Sequence, residues 1–337
     1  MNENYDEKLY PWLKYMSPGD VIGGDHTYDS YAQLSKFDEY LFPAISKRAG
    51  DIRYYVYDPT KHGYPKDRKY PLLFAIHGAS GSFQGSVAID WAGAAMYASE
   101  AYQKKLGGMY VVCPLANEKR DEKGQMYDSW PTSDEAGDMS IYAEEQLQKL
   151  EPLKEMLSHR FIRLGTDSIY SETLHALLHY VEGEYSLIDP KKVFLFGTSA
   201  GGYMAWRMTI NHPEDFLLSV IMAGAYLPAE CELRKIEKAG TNVLVCHGCY
   251  DELVNWDFFI APNEKYYYTF HNFMTFFPGF VRDGAHGIVD VHGSGRQQGQ
   301  HCINNCIQQN LIYDDGTLYD GRFPEGMTGF MKKLMEA

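Results

Sequence analysis

Short apolar runs and amphipathic stretches alternate along most of the chain. Apolar runs predict strands at residues 52–57, 72–76, 109–114 and 194–196, and helical spacing is seen at 88–105, 168–184 and 200–211. Strands that alternate with helices favour a mostly parallel sheet with helices on both faces. The pattern therefore predicts an α/β fold.

The first 50 residues do not continue this alternation. Pro18-Gly19 and Gly23-Gly24 interrupt them, and one helical pattern lies at residues 31–45. We therefore expect an N-terminal extension at residues 1–50, followed by one large domain at residues 51–337. A single domain of this size is common among α/β enzymes.

Two segments are longer than the alternation requires. Residues 115–166 exceed a simple crossover and become helical at 140–159, so we expect an insertion near the mouth of a site, with peripheral decoration as the alternative. Residues 258–282 are dense in aromatics, which either line an acyl or sugar pocket or serve core packing and a dimer face. We interpret both segments as cap-like insertions.

A serine lies where an apolar run meets a helical stretch. Ser199 is the centre of Gly197-Thr198-Ser199-Ala200-Gly201, and a G-x-S-x-G pattern at such a junction is typical of a nucleophile elbow. The turn is tight, so a Cβ at Gly197 or Gly201 would collide with neighbouring backbone. The helix that begins near Ala200 points free N–H groups at the same place. A structural Gly-Ser turn is the alternative interpretation.

The loop after the strand predicted at 72–76 reads His77-Gly78-Ala79-Ser80-Gly81. Acyl transfer creates an oxyanion, which needs two N–H groups already facing it. One comes from the residue after the nucleophile, here Ala200, and the other from a loop after an earlier strand, here Ala79 or Ser80. A glycine-rich strand-to-helix turn is the plain alternative.

An acid follows the apolar run at residues 242–246. Asp251 lies in the loop after this run, where a carboxylate can orient an imidazole and stabilise its charged form. Taken alone, an Asp after a strand is more often a turn residue or a helix cap.

A histidine would have to act as the base beside Ser199 and Asp251. The sequence offers His271, His286, His292 and His301, and leaves the choice open. The apolar run at 288–291 predicts the last strand, and the loop beyond it carries His301, which we favour as the base. His286 is the alternative if residues 273–277 form that strand instead. His271 lies in the aromatic run at residues 266–277, which we interpret as helical, so we expect His271 to be a packing or surface residue.

Charge and cysteine content exclude several classes of protein. The net charge of −14 argues against nucleic-acid or anionic-membrane partners, because phosphate binding depends on Lys and Arg. Residues 1–7 are acidic with no apolar core behind them, and no run of 18 apolar residues follows, so we expect a cytoplasmic protein.

The six cysteines are too few for a disulfide scaffold in a chain of this length, and we expect them to be reduced thiols. A zinc site of Cys246, Cys249, Cys302 and Cys306 is the alternative; we expect neither metal nor cofactor.

From about residue 51 to the C-terminus the chain resembles the α/β-hydrolase superfamily. Within it, the chain is similar to the serine esterase branch that includes feruloyl esterases, carbohydrate acetyl esterases and polyhydroxyalkanoate depolymerase-like proteins. The His77-Gly78 loop and the stretch from Leu174 through Val193 to Gly202 carry the resemblance. It implies an α/β-hydrolase catalytic domain at 51–337 and a serine carboxylic ester hydrolase. In many such relatives the catalytic base lies in a Gly-rich His-x-Trp segment. This sequence lacks that segment.

The resemblance implies a triad of Ser199, Asp251 and a C-terminal histidine. We expect His301 to take the proton of Ser199, Ala79 and Ala200 to hold the oxyanion, and water to cleave the acyl-enzyme. We expect a small-molecule or carbohydrate ester, with feruloyl, cinnamoyl or acetyl groups as candidates. The alternatives are a prolyl-oligopeptidase-type serine peptidase and a non-catalytic hydrolase-fold binding protein. The sequence leaves open whether the chain forms a homo-oligomer.

Overall fold

We describe a computed structural model of the chain at residues 30–124, 126–153, 164–251, 253–278, 301–312 and 318–337. Its strands are β1 (Asp38–Phe42), β2 (Ile52–Tyr57), β3 (Tyr70–Ile76), β4 (Tyr110–Pro114), β5 (Lys119–Arg120), β6 (Met126–Tyr127), β7 (Ile188–Thr198), β8 (Leu218–Met222), β9 (Asn242–Cys246) and β10 (Phe273–Phe276). Its helices are α1 (Ser30–Gln33), α2 (Ala88–Trp91), α3 (Glu100–Leu106), α4 (Glu144–Leu150), α5 (Ser171–Glu184), α6 (Ala200–Asn211), α7 (Glu230–Ala239), α8 (Trp256–Phe259), α9 (Glu264–Thr269), α10 (Ile303–Gln308) and α11 (Gly326–Glu336).

Eight strands form one sheet in the order β1-β2-β4-β3-β7-β8-β9-β10, and β5 pairs with β6 separately. The neighbours β1, β2 and β4 run antiparallel, and every neighbouring pair from β4 to β10 is parallel. The predicted, mostly parallel α/β sheet is therefore confirmed. Because parallel strands end at one edge, the loops after β3, β7, β8 and β9 lie side by side, where ligands bind in open α/β sheets.

Alternate side chains of the central strands enter two hydrophobic cores, one on each face of the sheet. Leu72 and Phe74 of β3 pack in a core shared with α5 and α6, while Leu73 and Ala75 pack in a core shared with α3 and α11. All four side chains are completely buried. Continuous apolar runs are what parallel strands covered on both faces require. Helices therefore cover both faces, as predicted.

Part of the predicted N-terminal extension belongs to the central sheet. Instead of a helix over residues 31–45, the structure has α1, a 3-10 turn at Leu34–Lys36 and then β1, which pairs antiparallel with β2. The helix prediction is wrong from Phe37 onward, because pairing with a neighbouring strand outweighs local periodicity. The domain boundary at residue 50 stays a prediction.

The segments predicted as insertions contain less helix than expected. Within 115–166 the described residues form β5, β6, a 3-10 turn at Met139–Ile141 and α4, and residues 154–163 lie outside the description. Within 258–282, α9 ends at Thr269 and β10 continues the sheet parallel to β9. The helical interpretation of residues 266–277 is therefore wrong after Thr269, because β9 offers β10 a ladder of hydrogen bonds.

Most aromatic side chains of the second segment pack in the interior. Five of them belong to the two cores, namely Tyr266, Tyr267, Phe270, Phe273 and Phe276, while Tyr268 is 62% exposed. These side chains support the core-packing interpretation over the pocket-lining one.

A membrane-spanning helix must be both long and apolar. None of the helices in the described part of the chain meets both requirements.

Candidate active site

Ser199 occupies a strained turn between β7 and α6. Its φ of 56° and ψ of −117° lie in a region that non-glycine residues rarely adopt, and the residue is only partly buried. Backbone bonds hold the turn on both sides: the Ser199 N–H donates to Met222 O at 2.8 Å, and the Ala225 N–H donates to Ser199 O at 3.1 Å. The start of α6 thus presents Ser199 at the carboxyl edge of the sheet.

Small residues flank Ser199 because the surrounding backbone leaves no space. A Cβ on Gly197 would lie 2.3 Å from Gly201 O, and a Cβ on Gly201 would lie 2.3 Å from Ile76 O and 2.4 Å from His77 O. The predicted collisions at both glycines are confirmed. The second clash also shows that the elbow lies directly against the loop after β3.

The loop after β3 lies beside Ser199 because β3 and β7 are neighbours, with Ile76 paired to Gly197. A Cβ on Gly78 would be 3.4 Å from the Cβ of Ser199. Of the two proposed oxyanion donors in this loop, Ser80 already donates its N–H to Glu118 Oε1 at 2.9 Å. This leaves Ala79 as the better candidate, together with Ala200 at the first position of α6. Both roles stay predictions.

Glu118 connects the loop after β3 to the segment at residues 115–166. Glu118 was not among the functional residues predicted from the sequence. Its buried carboxylate accepts hydrogen bonds from Ser80 N, Ser82 N at 3.2 Å, Ser82 Oγ at 2.6 Å and Ser129 Oγ at 2.7 Å. Ser80 has a φ of 70°, a left-handed conformation that costs free energy in a non-glycine residue. Glu118 therefore compensates the strain of the loop that is expected to hold the oxyanion.

The ring of His77 also holds this loop. Both of its nitrogens are hydrogen-bonded to backbone groups, so the ring is not available as a catalytic base. The Ala116 N–H donates to His77 Nε2 at 3.2 Å, so the proton is on Nδ1, which donates to Gly78 O at 2.6 Å. Burial lowers the pKa of His77, although Glu118 and the Gly78 carbonyl act in the opposite direction. Trp130 Nε1 donates to His77 O at 2.9 Å. His77 is thus a neutral, structural imidazole.

Asp251 is buried in the loop after β9. Its Oδ1 accepts hydrogen bonds from the N–H groups of Leu253 and Val254, both at 2.8 Å. Burial acts to raise the pKa of Asp251, but electrostatic attraction and a hydrogen bond from His301, electrostatic attraction to His247 and the Val254 N–H outweigh it, so the pKa is lowered. Asp251 is therefore a fixed, ionised carboxylate.

The structure brings His301 to Asp251. His301 Nδ1 lies 2.8 Å from Asp251 Oδ2, and its side chain is 13% exposed just ahead of α10. Since an ionised carboxylate only accepts, Nδ1 carries the proton. The exposed His271 interacts with Glu237 at 3.9 Å, which agrees with a surface role. His286, His292 and the strand predicted at 288–291 lie outside the described residues.

The register of the sheet places Ser199 and Asp251 at one edge. Thr198 pairs with Met222, and Met222 pairs with Cys246, so the loops after β7 and β9 leave the sheet at the same level, two strands apart. At about 4.8 Å per strand, their starting points are roughly 10 Å apart. The contact between Ser199 and His301 that a triad needs stays a prediction.

The cysteines do not support the zinc alternative. The structure has Cys246, Cys249, Cys302 and Cys306 as thiols, and the metal-compatible group found in the described part of the chain contains none of them. Among the residues that the structure describes, metal-compatible spacing is found at His175, His212 and Asp215, with His179 directly beside His175.

Comparison with solved structures agrees with this architecture. A thermostable esterase superposes with a TM-score of 0.56 at 19% identity, which covers 83% of this chain and 61% of that one. The chain therefore matches less than two thirds of that esterase. The siderophore hydrolase EstA from Aspergillus nidulans superposes with a TM-score of 0.50 at 10% identity, covering 75% of this chain and 90% of that chain.

No protein-family model matches the sequence, and no curated protein matches it either. At these identities the structural likeness is evidence about the fold. Together with the sheet order, it shows that the chain has the α/β-hydrolase fold.

Proposed function

We propose that the chain is a serine carboxylic ester hydrolase in which Ser199 is the nucleophile, His301 the base and Asp251 the acid that orients it. The observation that carries the proposal is the 2.8 Å hydrogen bond between His301 and buried Asp251, at the sheet edge where the strained Ser199 lies. A buried carboxylate that orients an imidazole is what the acid of such a triad has to provide.

In the proposed reaction, His301 Nε2 takes the proton of Ser199 Oγ while Oγ attacks the ester carbonyl carbon. The carbonyl oxygen becomes an anion, which the N–H groups of Ala79 and Ala200 stabilise. The imidazolium then gives its proton to the alcohol oxygen as the C–O bond breaks. Water repeats the attack on the acyl-enzyme, releases the acid and restores Ser199.

For the substrate we propose a small-molecule or carbohydrate ester. Feruloyl, cinnamoyl and acetyl esters are the candidates, and the sequence resemblance to the esterase branch supports them. A cytoplasmic location and a homo-oligomeric state stay predictions from the sequence. The alternatives, a serine peptidase and a non-catalytic binding protein, would share the fold.

Hydrolysis of p-nitrophenyl acetate, with covalent labelling by a fluorophosphonate probe, tests the proposal. We expect turnover and labelling in the unmodified chain, and loss of both in Ser199→Ala with an unchanged circular dichroism spectrum. The exposed Ser35 provides the matched control Ser35→Ala, which should keep both. Full activity of Ser199→Ala would overturn the proposal.

A panel of acetyl, butyryl and feruloyl esters beside peptide amides separates the remaining functions. An esterase cleaves the esters and leaves the peptide amides essentially uncleaved, whereas a peptidase cleaves peptide amides as well as esters, since esters are the more easily attacked of the two. A binding protein gives neither turnover nor labelling.

A further inference from the structure

A second group of ligating side chains lies where α5 meets the end of α6. His175 and His179 are four residues apart on α5, so their side chains share one face of that helix. His212 follows the last residue of α6, and Asp215 ends the next 3-10 turn, Pro213–Asp215. The catalytic proposal uses none of these residues.

Three ligand atoms of this group converge on one point. His175 Nε2 lies 3.0 Å from Asp215 Oδ2 and 2.9 Å from His179 Nε2, and His179 Nε2 lies 3.7 Å from Asp215 Oδ2. The ring of His212 stacks on that of His175 with centroids 3.5 Å apart, and His212 offers a further ligand atom within 4.8 Å of those of His175 and Asp215.

These separations are close to those of ligand atoms around a metal ion. Zinc binds imidazole nitrogens and carboxylate oxygens at about 2.0–2.2 Å, which in a tetrahedron puts neighbouring ligand atoms about 3.3–3.6 Å apart. Of the three observed separations, 2.9 and 3.0 Å are shorter than this range and 3.7 Å is slightly longer.

In the metal-free protein His175 Nε2 donates its proton to Asp215 Oδ2, so a metal ion has to displace that proton, whereas His179 already has the tautomer that binds metal. His179 Nδ1 lies 2.8 Å from Glu182 Oε2, and a carboxylate accepts only, so Nδ1 carries the proton. The lone pair of the neutral ring is then on Nε2, the atom that faces His175 and Asp215. Metal-binding histidines are typically oriented by a carboxylate in this way. Glu182 contributes no ligand atom and acts only by orienting His179.

We propose that His175, His179 and Asp215 bind one divalent transition-metal ion such as Zn²⁺, with Glu182 orienting His179. The side chains of the three ligands are 28%, 48% and 17% exposed, so an ion can enter and water can complete its coordination. The twelve residues of α6 rise about 18 Å, which puts this site at the far end of the helix from Ser199. The ion joins α5 to the end of α6 and takes no part in ester hydrolysis.

Titration of the full chain, prepared without a histidine tag and stripped of metal by a chelator, tests this site. We expect one equivalent of Co²⁺ to bind with the d–d absorption of a tetrahedral ion, and Zn²⁺ to displace it and raise the Tm. His179→Ala and Asp215→Asn should abolish binding, and Glu182→Ala should weaken it roughly 10- to 100-fold.

The control is His271→Ala, because the His271 side chain is 74% exposed and lies outside the group. It should leave the Co²⁺ affinity unchanged, and circular dichroism of each stripped variant shows whether it folds. Failure of the unmodified chain to bind Co²⁺ or Zn²⁺ would overturn the proposal. Equal affinity in folded His179→Ala, or a thiolate-to-cobalt charge-transfer band, would do the same, since the metal would then bind elsewhere.

Discussion

His301 donates its Nδ1–H to Oδ2 of Asp251 over 2.8 Å, and this bond joins residues 50 positions apart. The other oxygen of Asp251 is already held by two backbone N–H groups, so the carboxylate is fixed independently of the imidazole. With the proton on Nδ1, a neutral ring has its lone pair on Nε2, which is the state a general base needs.

Asp251→Asn should lower kcat for p-nitrophenyl acetate by about 10,000-fold while changing KM little, because an amide no longer fixes the tautomer or stabilises the imidazolium. Steady-state kinetics measure the effect. Asp257→Asn, at an exposed position on α8, is the matched control and should keep full activity. An Asp251→Asn protein as active as this control would remove Asp251 from the mechanism.

Glu118→Gln should lower kcat by up to about 100-fold, because a misplacement of about 1 Å in a catalytic group has effects of that size. A carboxylate accepts from all four donors that surround Glu118, whereas the NH₂ of an amide would face donors. Fluorophosphonate labelling rates should fall with kcat, since both reactions would need Ala79, the proposed oxyanion donor in the loop after β3.

The control for Glu118 is Glu122→Gln, at an exposed position in the same segment. A purely structural role for Glu118 would lower the free energy of unfolding and leave kcat of the folded protein at the control value. That outcome would contradict the positioning role.

Features set by local sequence could be predicted, and features set by distant contacts could not. The turn at Ser199 follows from the adjacent residues Gly197 and Gly201, whose Cβ positions meet backbone. Glu118 bonds Ser80 and Ser82 from 36 to 38 positions away, and no local pattern marks such a contact.

The choice of histidine shows the same limit. The preference for His301 depended on a last strand at 288–291, whereas the last strand among the described residues is β10 at 273–276. On strand position alone, β10 favours His286, yet the bond to Asp251 favours His301. The bond to Asp251 is a tertiary contact that a strand pattern does not contain; it supports His301, and the role of His301 as the base stays a prediction.

Gly201→Ala should destabilise the protein by about 1–3 kcal/mol and reduce activity, because its Cβ would overlap the carbonyl oxygens of Ile76 and His77. Gly183→Ala is the matched control on α5, where nothing lies within 4 Å of the new Cβ and the protein should gain about 0.5–1 kcal/mol. Urea unfolding and ester turnover measure both variants. Equal stability of the two would mean that the elbow is not tightly packed against the β3 loop.

The free energy of unfolding should fall as the pH drops below about 6.5. His77 and His247 are completely buried, and burial is the largest cause of the lowered pKa of each. In the unfolded chain they titrate near 6.5, so below that pH the unfolded state binds more protons than the folded one. Each histidine then removes about 1.4 kcal/mol per pH unit until its own folded pKa is reached, and neither contributes above the unfolded value.

Urea unfolding at pH values between about 7.5 and 5.5 measures this slope. His247→Gln keeps a donor for Val254 O, the partner of His247 Nε2 at 2.8 Å, and should reduce the slope by about one proton. His271→Gln, at a side chain that is 74% exposed, is the matched surface control for the substitution. If His247→Gln and the unmodified chain lost stability at the same rate, His247 would not be held neutral by burial.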